Sequence, residues 1–131
     1  METIFLIAVL ILGLGVFFWL ERRRRHLTAG DRKEFFKKWR EIEERAERDI
    51  EKAVLEGDKL IDLILKRKEI GGRTMNERLK RASRLFSNFR GVKKAHFLRN
   101  KIVHEADFKL SEKEGKEALR SIEKGLRDLW R

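Results

Sequence analysis

The chain opens on an uncharged, almost wholly apolar run of eighteen residues, Thr3 to Leu20. At a helical rise of about 1.5 Å per residue this run nearly matches a bilayer core of about 30 Å, so it predicts a membrane-spanning helix. A cleaved signal peptide wants a basic start, a shorter apolar stretch and small residues at its end. Here Glu2 precedes the run and Phe17, Phe18, Trp19 and Leu20 close it, which predicts an uncleaved anchor.

Beyond the run the period changes to that of amphipathic helices. Apolar positions alternate threes and fours through Phe35, Trp39, Ile42, Ala46, Ile50, Ala53, Gly57, Leu60 and Ile64, predicting one long helix from about Asp31 to about Lys68. Thr28 and Asp31 have the spacing of a capping box for its start. Gly57, on the stripe, suits either a close helix approach or a break.

Gly71-Gly72 reads as a turn, and Thr74 with Glu77 as the next helix start. Met75, Leu79, Ala82, Phe86 and Phe89 give that helix a buried side, with Arg78, Lys80, Arg81 and Arg84 on its surface. A further helix is expected from near Gly91. Ser111 and Glu114 open a last one, with Ala118, Leu119, Ile122, Leu126 and Leu129 as its stripe. The predicted fold class is all-α: an N-terminal transmembrane helix followed by a bundle of four helices, or five if the long one breaks. Residues 1–25 form the anchor and basic juxtamembrane segment, and residues 26–131 the bundle.

Composition narrows the chemistry. The 131 residues include no cysteine, which excludes disulfides, thiolate nucleophiles and sulfur-ligated zinc and fits a reducing compartment. They include no proline either, in keeping with an all-helical chain. The formal net charge of +11 is not spread evenly. Residues 66–101 carry thirteen Lys/Arg against Glu69 and Glu77, a net +11 in that segment alone, while the rest of the chain sums to zero. Such a segment attracts a polyanion, either nucleic acid or anionic lipid. Arg22 to Arg25, directly after the apolar run, predict a single-pass membrane protein whose C-terminal domain is cytoplasmic.

Within the basic segment lies Arg99-Asn100-Lys101-Ile102-Val103-His104, where residue types suited to phosphate chemistry converge. An arginine holds anionic oxygens, an asparagine orients a neighbour, and a histidine exchanges protons near neutral pH. The Arg-His spacing alone says little in an arginine-rich chain, and the Asn directly after the arginine supplies the specificity. On an ideal helix Arg99 and His104 point about 140° apart, while Asn100 and His104 share a face. Either the helix ends before His104, or a second protomer completes the site.

The string Ala95 to Glu105, AHFLRNKIVHE, resembles the Arg-polar-x3-His motif of the HEPN superfamily of helical bundles. The resemblance extends over most of residues 31–131 as helix order, and only about ten residues of it are specific. It implies a metal-independent endoribonuclease site completed across a homodimer by two copies of the motif, in a family that also contains inactive members. The N-terminal span is an addition to the family pattern. In this reading Arg99, Asn100 and His104 are catalytic: His104 is general base on the ribose 2′-hydroxyl or general acid on the leaving 5′-oxygen, Arg99 stabilises the transferring phosphate, and Asn100 orients it or the imidazole. Lys93, Lys94 and Lys101 are assigned to substrate binding through backbone phosphates. His96, four residues before Asn100, either assists them or packs between helices. No metal or cofactor is called for, and RNA is the expected partner, with room for an antitoxin or regulatory protein.

Two other classes remain open on the sequence. One is a catalytically inactive helical module that recruits a protein or RNA to the membrane. The other is docking of the basic segment on anionic lipid.

Overall fold

The computed structural model describes residues 1–24 and 26–131, the last two arginines of α1 as backbone only, so Arg25 of the juxtamembrane cluster lies outside the described residues. Among them the chain is helical without strands: α1 (Glu2–Arg24), α2 (Ala29–Ala46), α3 (Ile50–Arg67), α4 (Met75–Arg81), α5 (Phe89–His104) and α6 (Glu112–Leu129), with a single 3-10 turn over Ser83–Leu85. The expected all-α bundle is present, with five helices after α1. α1 is long and apolar enough to cross a membrane and buries none of that surface against the bundle.

α3 is the central helix, packed against α2, α4, α5 and α6. Phe35, Ile61, Ile64, Leu65, Leu79, Ile122, Leu126 and Leu129 are fully buried around it. Each such side chain contributes roughly 1.5–3 kcal/mol of transfer free energy relative to exposure.

The long helix expected over Asp31 to Lys68 is two helices. The turn falls at residues 47–49, where the backbone N–H groups of Arg48 and Asp49 both donate to the Arg45 carbonyl, at 3.0 and 2.9 Å. Asp49 then takes an extended conformation and its carboxylate accepts from Lys52 N at 3.0 Å, capping α3. α2 and α3 thus form an antiparallel hairpin, tied by an Arg67–Asp31 ion pair at its open end and Arg45–Glu56 near its turn. The Thr28–Asp31 capping box opens α2 as expected.

Gly57 does not break the helix. A Cβ there would lie 3.1 Å from Ile122 Cγ2 and 3.2 Å from Ile122 Cδ1, so its bare backbone is what lets α6 approach α3. Gly72 has a different role: its φ of 155° is disfavoured for L side chains, and a Cβ would sit 2.9 Å from Arg78 N.

That tight link serves Arg78, which is buried rather than displayed on the surface as its position in a basic run suggested. Its Nε and Nη2 donate to Asp62 Oδ1 and Oδ2 at 2.7 and 3.0 Å, and its Nη1 donates to the Gly72 carbonyl at 2.7 Å. Burial pushes the Asp62 carboxyl up, but hydrogen bonds and charge from Arg78 and Lys66 outweigh this and hold it below the usual carboxylate range.

α4 ends at Arg81, shorter than its stripe predicted. Leu79, Ala82 and Phe86 still point inward, whereas Phe89 belongs to α5 and stacks on Phe86 at 6.2 Å between ring centroids. Asn88 caps α5, accepting from Gly91 N at 3.1 Å. The Ser111–Glu114 box opens α6, and Lys68 Nζ donates to the Leu129 carbonyl at 3.1 Å to close it. Burial and the nearby Arg32 charge lower the Lys68 pKa.

Candidate functional site

α5 presents two polar faces. At about 100° per residue, Arg90, Lys93, Lys94, Lys101 and His104 all fall within about 60° of Phe97, on the side away from α3. Arg90, Lys93, Lys94 and His104 are exposed and Lys101 is half-buried. Phe97, at the centre, is 58% exposed. The Lys101 ammonium lies 5.3 Å from the Phe97 ring centroid and 5.2 Å from that of Phe108, cation–π contacts that hold it between the two rings.

The second face carries His96, Arg99 and Asn100 toward α3. His96 is buried, with Nδ1 at 3.1 Å from both carboxylate oxygens of Asp58. Asp58 is itself buried on α3. With the Nδ1 proton directed at Asp58, a neutral ring leaves Nε2 as an acceptor facing Asn100 Nδ2 at 3.5 Å. Asn100 Oδ1 accepts from Arg99 Nη1 at 2.9 Å, and Arg99 Nε stands 3.7 Å from Asp58 Oδ2. Four side chains therefore close a ring of polar contacts: Asp58, His96, Asn100 and Arg99.

The ring fixes the arginine without hiding it, since the Arg99 side chain remains 37% exposed. Beside it, an open cleft of about 620 Å³ runs along α3, with Lys38 and Arg45 of α2 on one side and His96 and Arg99 of α5 on the other. Several of its charges are paired within the bundle, Lys66 with Asp62 and Arg45 with Glu56 among them. Among the described residues no group of three or more metal-ligating side chains converges.

α5 continues unbroken through His104, so the alternative in which the helix ends before the histidine does not hold. His104 is the last residue of the helix, exposed at the end of the outer face. The structure joins Arg99, Asn100 and His96 into one arrangement, while His104 lies about 140° around α5 from Arg99, in line with Phe97 and the lysines and about 40° from Asn100.

Asp58 is the residue that sequence reasoning missed. It lies in register with Val54, Ile61 and Leu65, all buried, so an acid occupies an apolar row of α3. A charged residue on a core-facing row needs a partner. That was the available signal.

No family model matches the chain, and no curated protein or solved structure matches it either.

Proposed function

We propose that the protein is a membrane-tethered, HEPN-like RNA-binding domain that works as a homodimer on the cytoplasmic face and cleaves RNA without a metal. α1 contains the single-pass anchor, oriented by the arginines that follow its apolar run. The observation that carries the reading is the outer face of α5, where Lys93, Lys94, Lys101 and His104 surround the exposed ring of Phe97. Cations along a strand-width stripe suit a phosphate backbone, and a central aromatic suits a stacked base.

In the reaction, His104 of one copy takes the proton of the ribose 2′-hydroxyl as the 2′-oxygen attacks phosphorus. The bond to the 5′-oxygen breaks, and that oxygen receives a proton from the second copy's histidine. Arg99, braced by Asp58 and Asn100, stabilises the charge on the phosphate oxygens. The products are a 2′,3′-cyclic phosphate and a 5′-hydroxyl.

The test uses the full-length protein in detergent with structured and unstructured RNA in EDTA. Cleavage that disappears in both His104→Ala and Arg99→Ala supports the enzyme. A second reading, an inactive module that recruits RNA to the membrane, is favoured by one observation: within a single chain Arg99 faces Asp58, on the opposite side of α5 from His104. RNA binding of equal salt dependence in all three proteins, without cleavage by any, identifies that module.

A further inference from the structure

One end of the bundle gathers cations around an exposed aromatic ring, and it is the end to which α1 is attached. The start of α2, the end of α3 and the end of α6 meet there. Lys68 Nζ bonds the Leu129 carbonyl at 3.1 Å, and Phe36 packs edge-on against Trp130 with ring centroids 5.8 Å apart. Phe36 is nevertheless 52% exposed. Arg32, Lys33 and Lys37 are exposed on the same first turns of α2, and Arg131 ends the chain beside Trp130. The nearby acids are largely engaged: Asp31 with Arg67 and Thr28, Glu34 with Lys38 at 3.0 Å, and Asp128 with the Ser87 hydroxyl at 2.7 Å. Glu34 is exposed despite its pairing, and Glu69 is exposed as well.

The chain leaves this end little room. Leu27 is buried in the bundle core, three peptide steps from the last residue of α1. Three steps reach at most about 11 Å, close to the Debye length of about 8–10 Å at physiological salt. If α1 spans a bilayer, Leu27 stays within about one Debye length of the lipid surface, and Arg32 and Lys33 follow one to two helical turns further on.

We propose that this end of the bundle docks on anionic lipid headgroups, with Arg32, Lys33 and Lys37 against phosphates and the Phe36 ring in the headgroup layer. The inference rests on the anchor part of the functional reading and is independent of RNA. It concerns α2, a different surface from the basic face of α5. At roughly a fivefold gain in surface partitioning per cationic side chain, three of them shift the docked population about a hundredfold between neutral and anionic bilayers.

The absence of cysteine makes the test direct, because a single introduced thiol carries the only label. Phe36→Cys, Asp107→Cys at the opposite end of the bundle, and Leu10→Cys within α1 are each spin-labelled in the full-length protein. Single copies are placed in nanodiscs of phosphatidylcholine alone or with phosphatidylglycerol, and access to oxygen and to a water-soluble nickel complex is read by electron paramagnetic resonance. The expected result is oxygen access at position 36 in anionic discs only, lost with Lys33→Glu and Lys37→Glu, while position 107 stays in water. Water access at position 36 in both discs, with position 10 in lipid, overturns docking and leaves the anchor standing. Equal lipid access in neutral discs overturns the anionic recognition. Loss of access to both reagents means that protein covers Phe36, which overturns a lipid occupant. Water access at position 10 overturns the anchor, and the docking with it.

Discussion

His96 Nδ1 lies 3.1 Å from both carboxylate oxygens of Asp58, and this buried pair spans the contact between α5 and α3 directly beneath Arg99. The pair is largely buried at the edge of the cleft, and it sets where the arginine sits. Arg99 Nε is 3.7 Å from the same carboxylate, and Arg99 Nη1 bonds the asparagine that borders His96.

Asp58→Ala leaves His96 and Arg99 without their shared acceptor. Leaving a buried polar partner unsatisfied costs about 1–3 kcal/mol, so the variant unfolds at lower temperature by circular dichroism in micelles. Asp58→Asn, which keeps an acceptor oxygen, loses less. Equal melting of Asp58→Ala and the parent would show that the pair contributes nothing.

Gly57→Val inserts methyl groups where Ile122 already stands 3.1 Å from an added Cβ. Overpacking of this kind costs roughly 1–3 kcal/mol. Ile122→Ala is itself destabilising, but combined with Gly57→Val it recovers part of the loss. A denaturant double-mutant cycle with no coupling between the two positions would refute the contact.

Acid stability depends on Asp62. Its carboxyl is held below the usual range in the folded protein, so its contribution is complete above the unfolded pKa of about 3.9 and disappears as pH falls through the lowered folded value. Hydrogen bonds from Thr28 lower Asp31 too, and the Lys116 ammonium lowers Glu112. The Asp62→Asn variant isolates one of them: it melts below the parent at pH 7, and the gap closes below about pH 4. A gap that is constant with pH contradicts the Asp62–Arg78 pairing.

On the outer face of α5, stacking and charge separate by their salt response. Phe97→Ala weakens single-stranded RNA binding by about 1–3 kcal/mol, a factor of roughly five to a hundred and fifty, without altering the salt slope. Lys93→Ala with Lys94→Ala lowers that slope by about 1.4, or about 0.7 per phosphate contact. Fluorescence anisotropy titrations from 50 to 200 mM salt report both. A Phe97→Ala protein with parental affinity rules out stacking on this ring.

The local chemistry of the helix starts was readable because it is written in adjacent residues: Thr28 with Asp31, Thr74 with Glu77, and Ser111 with Glu114. The α2–α3 turn was not, because the stripe passes from Ala46 to Ile50 in helical phase and two helices that bury facing stripes show the same period as one long helix. The burial of Arg78 was hidden for another reason. Its partners, Asp62 and the Gly72 carbonyl, meet it only through a glycine backbone conformation that periodicity does not register. At the site, helix geometry correctly separated Arg99 from His104, and α5 runs straight through both. The fixed position of Arg99 depends on Asp58, forty-one residues earlier, and no spacing rule connects them.

The α2–α3 hairpin also bears on the order of folding. Its closing contacts, Arg45 with Glu56 and Asp31 with Arg67, join residues 11 and 36 positions apart, whereas Lys68 reaches Leu129 over 61. Local contacts form before distant ones repay their loop-closure entropy. The hairpin is therefore expected to gain amide protection first in pulsed hydrogen exchange, serving as a template on which α6 later closes, so that a nascent chain already carries two of its five bundle helices before the basic segment is complete.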